Sequence, residues 1–401
     1  MVFDTPGGHA QSEQPGPIRP RKPIKLAFVH DQIYPYFKGG VEKRMFDFAR
    51  ELAERGHEVH LIGTKRWDGP DHLTKGRVVM SGIRSRANPH TSGGRRSIWQ
   101  AVTFAIGLAR RVSRERFDII DVQSTAPLAC LTVLMIARLR RIPVVVTWIE
   151  VWGSYWREYM GPIGYAGQIL EWLMARVGRF HAGISAETLR RMEEIGLRAD
   201  ALLPCGIDAE RIESVEAGAV SSDVICVSRL VQHKNLEFLI DAMTVLKADG
   251  HSPTTLIVGD GPEYETLRLR IESAGLDNVS LLTDVASENE LFALLKASRV
   301  FALPSVREGF GLAVAEAAAC GLPAVLVDHQ DNASTDLVHS DLVVPQAPEL
   351  YAAKIWQLLN DDELHAKMSK HAADSVSRFT LRPIIDRSEQ LYAEVLDASR
   401  R

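Results

Sequence analysis

Apolar and polar positions alternate in two rhythms along this chain, short apolar runs and longer stretches of helical period. Ile24–Val29 is an apolar run that closes on His30. A pattern of period 3.6 follows from Val41 to Arg55, with Met45, Phe48, Ala49, Leu52 and Ala53 on one face, and Gly56 stops it. Glu58–Ile62 reads as the next strand, and Asp118–Val122, Ile142–Trp148 and Ala201–Leu203 as further ones. The rhythm restarts after Asp208, with strands at Asp223–Val227, Thr254–Val258, Val279–Leu282, Val300–Leu303 and Ala324–Val327. Helices are expected over Asn235–Lys247 and Glu263–Ala274. Strands alternating with helices imply parallel sheets covered on both faces, an α/β chain of two doubly wound, Rossmann-like domains. Such sheets bind ligands at the carboxyl ends of their strands, here in a cleft between facing domains.

A length of 401 residues suits two domains of about 200 residues each. The boundaries expected are a disordered polar leader over 1–23, a first domain over 24–208 and a second over 209–380. A last helix over 381–401 is free to pack back on the first domain. The linker falls around Pro204–Ser222, where Gly206, Gly218 and polar residues break the pattern. Apolar and charged fractions of 46% and 24% are those of an ordinary globular protein, and the net charge of −4 excludes a globally basic nucleic-acid binder. Cys130, Cys205, Cys226 and Cys320 lie too far apart to form metal-type pairs. The longest apolar stretches, such as Ala126–Ala137, are shorter than the roughly 20 residues of a membrane span. With no secretory signal at the front, these features suggest a cytoplasmic enzyme.

Rossmann-like alternation raises the question of a dinucleotide. Gly259-Asp260-Gly261-Pro262-Glu263-Tyr264 follows a strand but carries Tyr264 where the third glycine belongs, and Gly39-Gly40 lacks the spacing altogether. The most specific motif lies elsewhere, in Pro304-Ser305-Val306-Arg307-Glu308-Gly309-Phe310-Gly311-Leu312, continuing to Glu316 and Cys320-Gly321-Leu322-Pro323. A strand ending near Leu303 delivers Glu308 to the cleft edge. Gly309 and Gly311 allow close backbone approach, and the helix beginning near Leu312 aims free N–H groups at the cleft, an arrangement suited to a diphosphate. Were all the steps between them helical, Glu308 and Glu316 would stand roughly 12 Å apart along the axis, room for one carboxylate on a sugar and the other on a ribose. Incidental surface glutamates around a capped helix are the competing reading.

In Ser228-Arg229-Leu230-Val231-Gln232-His233-Lys234-Asn235, two cations stand five residues apart, Arg229 leaving a strand and Lys234 at a helix start, and can converge on one diphosphate. Gly39-Gly40 before the first helix allows backbone contact with phosphate or acceptor. Taken with Pro204-Cys205-Gly206-Ile207-Asp208, these motifs resemble the retaining glycosyltransferases of GT-B fold, family four, over nearly the whole chain from Ile24. The resemblance implies a metal-independent hexosyltransferase without a cofactor, whose donor is a nucleotide diphosphate sugar, commonly UDP-linked. Glu308 would contact the hexose, Arg229 and Lys234 the diphosphate, and Glu316 the ribose. The amides of Phe310, Gly311 and Leu312 would line phosphate and sugar, as would the glycines Gly39 and Gly40. The acceptor would be a sugar, a small molecule or a lipid-linked group.

Relatives often carry histidine where this chain has Gln123 and Ile149. The acceptor side therefore falls to other polar groups at strand ends, His30, Asp121, Gln123 and Glu150. Between Trp148 and Trp172 lie four of the chain's seven tryptophans. Trp152 and Trp156 among them are candidates to stack on an acceptor ring, with core packing, a dimer contact or a membrane contact as the alternatives. Eleven arginines against three acids between Arg84 and Arg141 suit an anionic acceptor or lipid headgroups, or equally solvated helix faces. A sugar-nucleotide epimerase on the same fold, or a non-catalytic sugar-nucleotide binding protein, are the rival functions.

Overall fold

The structure, a computed structural model, describes residues 22–85 and 98–401. The polar leader therefore lies outside the described residues except for its last two positions, as does a stretch of the arginine-rich segment. The first sheet contains β1 (Lys25–Val29), β2 (Glu58–Thr64), β3 (His72–Lys75), β4 (Val78–Ile83), β5 (Ile119–Gln123), β6 (Val144–Trp148), β7 (Phe180–Gly183) and β8 (Ala201–Leu202). The second contains β9 (Ser222–Val227), β10 (Thr255–Val258), β11 (Val279–Leu282), β12 (Ser298–Leu303), β13 (Ala324–Val327) and β14 (Val343–Val344). Their orders are β3-β4-β2-β1-β5-β6-β7-β8 and β11-β10-β9-β12-β13-β14. All pairings are parallel except β3 with β4. That hairpin escapes the sequence pattern because β3 is a short, mostly exposed edge strand turned by Gly76 at φ +60°.

Continuous apolar strands explain the two-sided cover. Every residue of β6, Val-Val-Val-Thr-Trp, is buried, as is every residue of β5. One core fills the second domain, while separate clusters lie on either face of the first sheet. The helix Leu381–Arg400 belongs to the first domain's packing, with Leu381, Ile384, Ile385, Leu391 and Val395 buried among Leu26, Phe28 and Phe48. Each such side chain contributes about 1.5–3 kcal/mol on burial. The chain thus crosses between domains twice, and the crossings touch where Ile207 pairs with Thr380. Gly206 permits this, since a Cβ there would stand 2.3 Å from the Leu381 side chain.

Each sheet reverses its winding once, between β1 and β5 in the first and between β9 and β12 in the second. These are the two places where diverging loops leave a crevice.

Candidate active site

The second crevice is built from the loops after β9 and β12. The carbonyl of His233 accepts hydrogen bonds from Val306 N at 3.1 Å and from Ser305 Oγ at 3.3 Å, tying the two loops together. Behind the first loop, Leu230 N donates to Asp260 O at 2.9 Å. Gly259, at φ +151°, leaves no room for a side chain, because its Cβ would lie 1.8 Å from Ser228 O. The Gly259-Asp260-Gly261 turn is therefore a backbone support for the Arg229 loop. Glu308 is pinned from the other side, donating through its N–H to Asp331 O and accepting from Ala333 N, both at 3.0 Å. The outcome is that Lys234 Nζ sits 2.6 Å from Glu308 Oε1, across 74 residues of chain, with both side chains largely shielded from water.

The same loop carries other positive charge. Arg229 is exposed beside it. The ring of His233 is held neutral, its pKa pushed down to about 3 by burial and by the charges of Lys234, Arg229 and Arg307. Gly311 then caps the helix Leu312–Ala319 at φ +90°, and as a glycine it has no side chain to accept from the first turn's amides. A Cβ at Gly311 would come within 2.3 Å of the Ser334 side chain. The ring of Phe310 points away, into the core against Phe379 at 5.2 Å, so only its backbone belongs to the crevice. Leu312 faces Gly40 of the first domain, where a Cβ would lie 3.8 Å away. Gly39 instead is backed by the carboxylate of Glu42.

Across the cleft the first domain closes on these loops. Gly309 abuts the carbonyl of Ile149, 2.5 Å from where a Cβ would stand. Arg307 donates through Nε to Glu150 Oε2 at 2.9 Å, through Nη1 to Asp331 Oδ2 at 3.1 Å and through Nη2 to Val151 O at 3.3 Å. Its guanidinium lies over the Tyr155 ring at 4.2 Å. Arg191, from the helix Ala186–Glu194, reaches Asp331 as well. The space left among Glu150, Arg191, Arg307, Glu308 and Asp331 is about 10 Å³, room for a single water.

A second cross-domain cluster forms where Lys43 meets Asp47 at 2.8 Å, Glu288 at 3.1 Å and Glu316 at 3.8 Å. One lysine cannot balance three carboxylates, although Arg211 also contacts Glu288. Burial pushes the Glu316 carboxyl up to about 7 despite the attraction of Lys43, whereas Glu288, nearer to both cations, is drawn below the usual range. Glu316, buried and the farthest of the three from Lys43, is the acid that most readily keeps a proton.

Four of the acceptor-side expectations require correction. His30 is 1% exposed, with Nδ1 at 2.8 Å from Gln32 O and Nε2 at 2.9 Å from Thr125 Oγ1, a histidine that joins the loops after β1 and β5 from inside. Asp121 and Gln123 are wholly buried on the sheet face covered by the C-terminal helix. Asp121 accepts from Gln123 Nε2 at 2.9 Å, Thr147 Oγ1 at 2.7 Å and Tyr392 OH at 2.7 Å. Burial holds its carboxyl above the ordinary range. Trp156 fits a notch of small residues, 2.5 Å from where a Cβ of Gly167 would be. Nor are the aromatic rings spread around a helix: Trp152 folds over the helix Tyr155–Met160, 4.5 Å from Trp156 and 5.2 Å from Tyr155 and Tyr159. Glu150 and Trp152 remain at the cleft, joined by Trp152 Nε1 to Glu150 Oε2 at 2.9 Å.

The residues that sequence reasoning passed over are Arg307, Asp331, Arg191, Lys43 and Glu288. Arg307 lay inside the quoted motif, next to Glu308, and was the one with a visible signal. The others have no spacing that links them. Among the described residues, no three His, Cys, Asp or Glu side chains group as metal ligands would.

Comparison with known proteins covers both domains. The family model described as Glycosyltransferase Family 4 matches residues 38–211, and that described as Glycosyl transferases group 1 matches residues 212–375. N-acetyl-alpha-D-glucosaminyl L-malate synthase of Bacillus anthracis is 25% identical over 374 residues, 87% of this chain and 92% of that one. Several other curated relatives match over about half of their own length. Sucrose-phosphate synthase from Thermosynechococcus elongatus superposes with a TM-score of 0.77 at 17% identity, covering 94% of this chain and 100% of that one. Anabaena HepE, solved in complex with UDP and glucose, superposes with a TM-score of 0.71 at 18% identity, covering 93% of this chain and 99% of that one. At such identities the likeness to these structures establishes the fold.

Proposed function

The chain belongs to glycosyltransferase family 4 and has the GT-B fold, and on that premise we propose that it transfers a hexosyl unit from a nucleotide diphosphate sugar to an acceptor hydroxyl. The donor is UDP-linked, the anomeric configuration is retained, and no metal takes part. The observation that carries this reading is the 2.6 Å contact of Lys234 with Glu308 at the start of the helix Leu312–Ala319. In a sugar nucleotide the anomeric carbon is bonded to a phosphate oxygen. A carboxylate that holds sugar hydroxyls and a cation that holds phosphate must therefore be neighbours, as these two are.

Arg229, Lys234 and the uncapped amides of the helix stabilise the charge that develops on the departing diphosphate. This supplies positive charge where another transferase would use a divalent cation. Glu308 orients the hexose, and Glu316 takes the ribose hydroxyls. The acceptor hydroxyl attacks from the face the phosphate leaves, and a phosphate oxygen receives its proton. Glu150 and Trp152 border the acceptor approach. Arg307 bridges to Glu150 and Lys43 to Glu316 across the cleft, so parting of these contacts would open it to the donor. The Anabaena neighbour solved with UDP and glucose supports the uridine donor.

The test is a panel of UDP-, GDP- and TDP-sugars with sugar, small-molecule and lipid-linked acceptors, read as free nucleotide diphosphate. Acceptor-dependent UDP release that persists with chelator, and an α-linked product from an α-linked donor, are expected. Conversion of the donor without acceptor would make the protein an epimerase. Binding without turnover would make it a carrier, and a β-linked product would remove the retaining mechanism.

A further inference from the structure

Over one face of the first sheet, the helices Ile98–Arg114, Pro127–Arg140 and Gly164–Val177 pack side by side. We propose that their outer face docks the protein on an anionic lipid bilayer surface. The proposal does not depend on the donor or on the reaction catalysed.

The polarity of the third helix is the starting observation. A helix between a sheet and water exposes polar residues, yet Tyr165, Ile169 and Trp172, at spacings of four and three, are all more than half exposed. They lie in one stripe. Its neighbour exposes Met135 at 64% and Leu139 at 85%, and the helix beyond exposes Ile106 at 50%. Single apolar residues on a surface are ordinary, but exposed apolar residues on three neighbouring helices mark an interaction site.

Charge decides among occupants. In these helices the only acid is Glu171, and it is turned inward, accepting from Trp152 N and Gly153 N at 2.8 Å each. The basic residues stay outside: Arg110, Arg114, Arg138 and Arg176 are exposed and make no ion pair among the described residues. Arg176 lies 5.3 Å from the centre of the Trp172 ring, and Arg157 lies 5.5 Å from that of Tyr165. Guanidinium groups bordering an aromatic and aliphatic patch match phosphate headgroups above acyl chains. A second copy of this chain would bring arginines against arginines, which disfavours self-association as the use of the face. No helix among the described residues is long and apolar enough to cross a membrane, so the contact is peripheral.

Co-sedimentation of the full chain with vesicles tests this. Binding to vesicles containing phosphatidylglycerol is expected, with little binding to pure phosphatidylcholine and loss at high salt. Replacing Arg138 or Arg176 with Ala should weaken binding about fivefold each, the factor that corresponds to ~1 kcal/mol per basic residue at an anionic surface. Ile169→Ser with Trp172→Ser should weaken it further at low salt, which a purely electrostatic contact would not show. Should that pair fail to fold, the two arginine variants still decide the matter. Equal binding to neutral vesicles, or no binding to anionic ones, would overturn the proposal. So would a concentration-dependent dimer, seen by sedimentation without vesicles and abolished by the serine pair, in a protein that binds no lipid.

Discussion

The crevices of the two sheets hold equivalent positions in their domains but use polar side chains in opposite ways. At the β9–β12 crevice, Lys234 and Glu308 stand at the cleft, and the bonds that fix them come from the backbone. Around the β1–β5 crevice, His30, Asp121 and Gln123 are sealed inside, and their own side chains do the fixing. A side chain whose loop is held by backbone hydrogen bonds is free to change partners when a ligand arrives. One that is itself the strut is not free to do so. The contrast separates sites of chemistry from sites of stability in a chain where both look polar.

The largest effect that would break this contrast is on turnover. Glu308→Gln and Lys234→Ala should each lower kcat by about 10²–10³ while leaving the melting temperature close to that of the parent. Near-parental turnover in either folded variant, at saturating donor, would show that the pair is no more than a surface contact.

Next in size is a pH effect at the Lys43 cluster. The Glu316 carboxyl lies at about 7 in the folded chain against an ordinary value of 4.5. The native state therefore binds more protons in that window, and stability should fall as pH rises through it, by on the order of 3 kcal/mol. Denaturant unfolding at intervals between these limits should show the decline, and Glu316→Gln should flatten it. Parallel pH profiles for parent and variant would mean that the proton sits elsewhere in the cluster.

The tryptophans sharpen the comparison within one segment. Trp156→Ala should cost stability, roughly 2 kcal/mol for a half-buried ring, with kinetic constants unchanged. Trp152→Ala, at the cleft, should raise the acceptor KM about fivefold, the worth of ~1 kcal/mol of ring contact. If the effects are exchanged, so are the roles.

An effect well below those on turnover and pH dependence is expected at the strut. Tyr392→Phe removes one of three donors to buried Asp121 and should cost about 1–2 kcal/mol. Calorimetric titration with UDP should find nucleotide affinity unaltered. A change in affinity with little change in stability would place Asp121 in the functional machinery after all.

Much of the architecture was legible because its causes are local. The strands Val279–Leu282 and Ala324–Val327 coincide with their apolar runs, and the other expected strands differ by a few residues at their ends, whereas β3, β4, β7 and β14 were not anticipated. Lys234 shows the limit of such reading. It lies in a 3₁₀ turn, Gln232–Lys234, cut off from the helix Leu236–Ala248 by Asn235 at φ +54°. Its meeting with Glu308 depends on β9 and β12 being neighbours in the sheet.

By itself, the sequence determined the alternation of strands and helices, the glycines that turn the loops, and the motif from Pro304 to Glu316. Each of these follows from side-chain periodicity or from backbone freedom at one position. Only the tertiary structure decided which polar groups meet the cleft and which are buried struts. A strand residue points to one face or the other, and what covers that face can come from far along the chain, as Tyr392 does for Asp121 across 271 residues. The same holds for Arg307, whose partners Glu150 and Asp331 lie in two domains, and for the apolar face whose three helices become one surface only after the sheet has formed. Contacts between distant residues are set by the assembly of the whole fold, and no local pattern carries them.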